Sequence, residues 1–150
     1  MAWADASARI IAIVEGTTLS TDLGMPPSFA YLEEASELSV PDSRTFWLEL
    51  RGMEMKGNVT LGLPRWFNFD VALVVAYRLD SDPARLFDAI ALDWEALMQR
   101  LPDVSLWAKA SSTIEGLFVP EAETLVGAEV DVTDTAVMVS TSMQVTFRKT

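Results

Sequence analysis

Residues 66–101 read WFNFDVALVVAYRLDSDPARLFDAIALDWEALMQRL, and this stretch sets the architecture. In its first part Phe67, Phe69, Val71, Leu73, Val75, Tyr77 and Leu79 alternate with Asn68, Asp70, Ala72, Val74, Ala76 and Arg78. Alternation puts successive side chains on opposite faces of a strand, so the odd positions predict one continuous apolar wall. A run of roughly 13 residues is long against the usual strand of about 5–6. Asp80-Ser81-Asp82-Pro83 then stops the strand. Asp82 suits a helix N-cap and Pro83 the first helical position, where a missing N–H costs nothing. From there Leu86, Phe87, Ile90, Trp94, Leu97, Met98 and Leu101 recur at spacings of three and four, one stripe of a helix that Pro102 ends. Such a helix is roughly 27 Å long, enough to cover the wall.

The back of this helix is less polar than a solvated face. Ala89, Leu92 and Ala96 form a narrow second strip between Asp88, Glu95 and Gln99 on one side and Asp93 and Arg100 on the other. Alanine is a good helix former, which accounts for two of the three. The sharper expectation is a subunit interface at Ala89, Leu92 and Ala96.

Working outward, Thr45–Met55 predicts a second strand, with Phe46, Leu48 and Leu50 alternating against Trp47, Glu49 and Arg51. Lys56–Arg65, with Gly57, Gly62 and Pro64, joins it to the wall strand as a long hairpin with a glycine-bearing loop. Met53, Met55, Val59, Leu61, Leu63 and Trp66 are many apolar groups for a loop in water. Either the tip folds back on its own sheet, or Met53, Met55, Leu61, Leu63 and Trp66 form an arm that a partner orders.

Before the hairpin, Trp3, Ser7, Ile10, Ile11 and Val14 predict a first helix over residues 3–15, ended at Gly16. Residues 17–28 read as loop, 29–38 as ambiguous with a possible helical turn, and 39–43 as turn. After the long helix, 103–112 is a connection containing Trp107 and Lys109. A strand is expected at Thr113–Val119, stopped by Pro120. Residues 121–134 are acidic and turn-like, and a last strand runs from Ala136 to Phe147. In it Val137, Val139, Met143, Val145 and Phe147 face one way and Ser140, Ser142, Gln144 and Thr146 the other, as in an antiparallel sheet covered on one side. The fold class expected is α+β: a mainly antiparallel sheet with a long hairpin, one long helix, and an N-terminal helix packed on one face. No composition shift divides the 150 residues, so one domain is expected.

Composition narrows the chemistry. The chain has no Cys and no His, which excludes disulfides, thiolate metal sites and histidine-based nucleophilic catalysis. The carboxylates show no convergent pattern. Asp80 and Asp82 flank a helix start, Glu33, Glu34 and Glu37 read as a solvated face, and Asp131 and Asp134 are too few for a calcium loop. No phosphate-cradling glycine motif is present, and Asn58-Val59-Thr60 matches a glycosylation acceptor with nothing to suggest secretion. No enzyme and no cofactor is expected. The net charge of −11 falls almost wholly on the two ends, since residues 44–109 carry eight bases and nine acids. Nucleic-acid binding by a basic patch is therefore not expected. Glu121, Glu123, Glu129, Asp131 and Asp134 suggest an acidic docking or lumen surface. The start lacks a signal-peptide pattern, and Val71–Tyr77, the longest apolar run, is too short to span a bilayer. No membrane partner and a cytoplasmic site of folding are expected.

The order of elements, with Phe46-Trp47-Leu48-Glu49-Leu50-Arg51-Gly52, Phe69-Asp70-Val71-Ala72, Ala76-Tyr77, Asp80 and Leu86-Phe87-Asp88-Ala89-Ile90, resembles the tail terminator (tail-completion, head–tail joining) proteins of long-tailed phages. The layout matches over most of residues 3–148, and the specific wording over 45–101. The resemblance implies an α+β protomer of a homohexameric ring in the virion, assembled in the host cytoplasm. That ring caps the tail tube, ends tail polymerisation and meets the head connector. Its partners would be other copies of itself, the tail tube protein and the head-completion protein, with DNA passing through unbound. The family supplies no catalytic residues. Two other readings are a head-completion (neck) ring and a small ligand- or peptide-binding module with Trp66, Tyr77 and Trp94 near its pocket.

Overall fold

A computed structural model describes residues 2–149 except 22, 34–41, 59–62, 80–81, 109–115 and 121–127. The elements in order are helix α1 (Ala2–Glu15), strands β1 (Ala30–Tyr31), β2 (Thr45–Asn58) and β3 (Leu63–Arg78), helices α2 (Pro83–Arg100) and α3 (Val104–Ala108), and strands β4 (Gly116–Pro120), β5 (Glu129–Val132) and β6 (Ala136–Lys149). The fold is α+β. One six-stranded sheet runs β1-β2-β3-β6-β4, with β5 also paired to β6. Among the described residues every pairing is antiparallel except the short parallel β1–β2 contact.

The wall strand forms as the alternation requires. Phe69, Val71, Leu73, Val75 and Tyr77 are buried in one core cluster. Their partners across the β6 ladder are Val145, Met143, Thr141, Val139 and Val137 in that order, so both strands turn the same set of positions to the core. Helix α1 adds Ala6, Ile10, Ile13 and Val14, and α2 adds Leu86, Ile90, Trp94 and Leu97. At the α1 end, Thr17 Oγ1 donates to the Ile13 carbonyl at 3.1 Å and Arg100 Nε to the same carbonyl at 3.3 Å. A cation thus sits where α1 leaves carbonyls unpaired. Gly16 permits this approach: a Cβ there would lie 2.8 Å from Arg100 Nη2. At the start of α2, Asp82 accepts from the Arg85 backbone N–H at 3.4 Å and Pro83 opens the helix, as the sequence predicts.

Several expectations are corrected. The hairpin expected to open over residues 56–65 stays paired much further. Lys56↔Trp66, Gly57↔Pro64 and Asn58↔Leu63 continue the ladder, so Met53, Met55, Leu63 and Trp66 lie on strands. Proline and glycine read as loop punctuation, yet backbone pairing on either side carries the strands past them. The acidic segment expected to be turn-like contains β5, and the expected connection 103–112 contains α3, whose Trp107 is fully buried and donates to the Leu101 carbonyl at 2.6 Å. Within the segment 29–38, read as ambiguous, residues 30–31 form β1, and the helical turn considered over 31–35 lies partly outside the described residues. On α2, Phe87 is 40% exposed instead of joining the core, and Leu79 lies past the end of β3 and is 37% exposed. Ala72, Val74 and Ala76, on the other face of β3 from the apolar wall, are buried too; β3 is a central strand, and cross-strand neighbours such as Trp47 and Met138 flank these small residues.

Candidate functional site: a buried arginine hub and two exposed margins

A buried polar cluster that is not legible in the sequence as a site joins β2 to α2. Arg44 and Asp93 are 1% and 2% exposed and face one another. Arg44 Nε donates to Asp93 Oδ2 at 2.9 Å and Nη2 to Oδ1 at 2.8 Å, a two-bond fork. Arg44 Nη1 donates to the carbonyls of Ser20 and Pro26 at 2.6 and 2.7 Å. The Tyr77 hydroxyl donates to Asp93 Oδ2 at 2.8 Å. Arg44 also has a φ of 63°, the left-handed region that costs a side-chain-bearing residue about 1–2 kcal/mol. Its backbone is held there from both sides: its N–H donates to the Ala76 carbonyl at 2.8 Å, and its carbonyl accepts from Ala30 at 2.9 Å. One residue therefore joins the 20–26 loop, β1, β3 and α2.

A buried pair is stable only when its remaining hydrogen-bonding capacity is met. Here both carboxylate oxygens and four guanidinium N–H groups are engaged. Burial pushes the Tyr77 phenol far above its ordinary value, and the adjacent Asp93 charge adds to the rise. The Arg44 charge, and after it the Trp94 indole N–H, work against the rise. The hub acts as a staple. It holds the start of β2 and the middle of α2 in fixed relation, which decides which face of α2 turns outward. The sequence reading put Asp93 beside the exposed back of the helix. The available signal was spacing: Asp93 falls seven residues after Leu86 and four before Leu97, on the apolar stripe itself.

The positions proposed as an interface are only partly exposed as a set. Leu92 is 58% exposed, while Ala89 and Ala96 are half-buried. Ala89 and Leu92 line a shallow cavity of about 180 Å³ with Met25, Arg44, Arg85 and Asp88. A second of similar size is lined by Leu23, Met25, Ser43, Arg78, Leu79 and Leu86. Neither is lined by Tyr77 or Trp94, which are packed in the core; the Trp66 side chain lies outside the described residues.

Of the hairpin-tip residues, Met53 is 58% exposed, on the helix-side face opposite Phe69. Leu61 and the side chains of Met55, Leu63 and Trp66 lie outside the described residues. Of the acidic set, Glu129, Asp131 and Asp134 are exposed, and Glu121 and Glu123 lie outside the described residues. Among the described residues no group of three carboxylates converges on a point where a metal ion could sit. No helix among them is long and apolar enough to cross a membrane.

The sequence reading missed a second set of apolar groups. Leu50 is 44% exposed on β2, and Val130 and Val132 are 54% and 52% exposed on β5. All lie on the helix-side face, since Leu50 pairs with Val71, Val130 with Val139 and Val132 with Val137, each of them a core residue. Leu50 and Met53 thus mark one margin of the sheet and Val130 and Val132 the other, with β3 and β6 between. No protein-family model matches the chain, and no curated protein matches it significantly in sequence.

Proposed function

We propose that this protein is a non-catalytic, ring-forming structural component of a phage virion, of the tail terminator kind. Such a ring would cap the tail tube, halt its growth and join the head connector. The observation that carries the reading is the presence of unlike apolar patches on opposite margins of one sheet, Leu50 and Met53 on one side and Val130 and Val132 on the other. A closed ring is built from heterologous contacts, in which each copy presents one patch to its left and a different one to its right. The resemblance of residues 45–101 to the terminator family supplies the biological setting and the expected number of six.

Exposed Leu92 gives a further apolar contact on the back of α2. Exposed Glu129, Asp131 and Asp134 fit a ring through which DNA slides, because like charge prevents phosphate from adhering. A small-ligand module is less well supported: hollows of about 180 Å³ are smaller than the roughly 300–1,000 Å³ of ligand pockets.

The test is to image the purified protein alone and mixed with tail tubes. Rings of about six copies, seated on tube ends and shortening the tubes grown in their presence, are expected. A head-completion ring would form without binding tubes. A strict monomer that ignores tubes would refute the assignment.

A further inference from the structure

Among the described residues the two margins also carry backbone groups that no strand pairs. The Phe46 carbonyl accepts from Leu32 N–H at 2.8 Å on the β1 side, so from Phe46 onward the even-numbered residues of β2 point their backbone groups away from β3. In an antiparallel ladder such groups recur every second residue. Leu48 and Leu50 therefore present N–H and C=O outward, and among the described residues β1 ends before it reaches them. At the other side β5 pairs with β6 alone among the described residues, so none of them occupies its far edge. Open edges invite strand addition unless they are blunted or used.

Side chains on the two edges match in kind and in face. Leu48 and Leu50 lie on the helix-side face of β2, while Trp47, Glu49 and Arg51 lie on the other. Val130 and Val132 lie on the helix-side face of β5, with Glu129 and Asp131 on the other. A β5 strand laid along residues 47–51 brings valine to leucine on one face and carboxylate to Arg51 on the other. Arg51 already pairs with Glu49 at 3.0 Å, but both are about half exposed. That contact is weak and leaves guanidinium donors for a second carboxylate. Two copies that each carry −11 repel at long range, so an attractive contact needs local unlike charge of this sort.

We infer that the β2 edge of one copy is extended by β5 of the next, giving a sheet continuous across the subunits. This inference rests on the ring reading and specifies its contact. Because β2 and β5 occupy opposite margins, the joint is heterologous, and in a ring whose inter-copy rotation closes it leaves neither edge open.

The chain has no cysteine, which makes cross-linking clean. Two single variants, Leu50→Cys and Val132→Cys, are prepared separately, with Val130→Cys as a second choice one register step away. They are mixed, with and without tail tubes, and oxidised. Disulfide-linked dimers are expected in the mixtures and in neither variant alone. In the uncross-linked protein, Arg51→Glu is expected to weaken assembly about three- to ten-fold, and adding Asp131→Arg to regain most of the loss. Assembly that persists without mixed cross-links or charge rescue overturns the sheet-extension contact while leaving the ring reading standing. Dimers from Leu50→Cys alone overturn it too, because they indicate two-fold packing of β2 on β2. Absence of assembly under every condition removes both.

Discussion

Replacing Asp93 by asparagine keeps the shape of the side chain and removes its charge. The Arg44 guanidinium, 1% exposed, would then lie buried with no counter-ion. It would keep its bonds to Ser20 and Pro26, but one of its two fork bonds would face an amide N–H₂ group. Breaking a buried pair from one side costs about 3–5 kcal/mol, against about 0–1 kcal/mol for an exposed pair. A domain of this kind is stable by about 5–15 kcal/mol in all. Asp93→Asn should therefore lower the urea midpoint by about 2 M if m is about 2 kcal/mol/M. It should lower Tm by roughly 6–20 °C. Tryptophan fluorescence follows the unfolding, since Trp94 and Trp107 are buried. The decisive comparison is a double-mutant cycle with Arg44→Met. If the pair acts as a unit, the double variant should be at least 2 kcal/mol more stable than the sum of the two single losses implies. A loss below 1 kcal/mol for Asp93→Asn, or simple additivity, would refute the hub as the staple between β2 and α2.

Three further outcomes are expected. The unfolded chain ionises a tyrosine near pH 10, whereas folded Tyr77 holds its proton well beyond that. Its contribution is therefore fully present below about pH 10 and is lost above it, at up to about 1.4 kcal/mol per pH unit. In alkaline titration the Tyr77 share of phenolate absorbance at 295 nm should appear only with unfolding, and Tyr77→Phe should remove that part of the slope. Leu92→Asp, at a 58% exposed site, should change stability by no more than about 0.5 kcal/mol while weakening assembly; a chain that unfolds instead would mean that this helix face is buried. Because Arg44 has a φ of 63°, Arg44→Gly should be about 1 kcal/mol more stable than Arg44→Ala, measured by urea denaturation of both variants.

The fold was legible wherever one face of an element is uniformly apolar. β3, β6, α1 and α2 announce themselves by period, and the Asp82-Pro83 start of α2 by its capping chemistry. What stayed hidden depends on distant partners. Nothing local marks Arg44 as buried, because its counter-charge lies 49 residues away. Asp93 reads as solvated by residue type even though its spacing puts it on the stripe. Conversely, Phe87 is apolar and near the stripe but sits past its edge, and is 40% exposed. β5 was obscured by its acids: Glu129 and Asp131 suggest a turn, yet they alternate with Val130 and Val132 in the period of two that marks a strand. The exposed apolar groups were partly visible. Leu92 was read from the helix pattern, whereas Leu50, Val130 and Val132 become unusual only once the helices are seen to leave them uncovered.

The proposal that this chain builds rings is tested most directly by the mass of the particle it forms, in solution and on tail tubes. Light scattering combined with negative-stain images should give closed rings near six times 16.5 kDa, alone at high concentration or at tube ends. A species that stays at 16.5 kDa across the accessible concentration range, and leaves tail tubes uncapped and growing, would contradict the account.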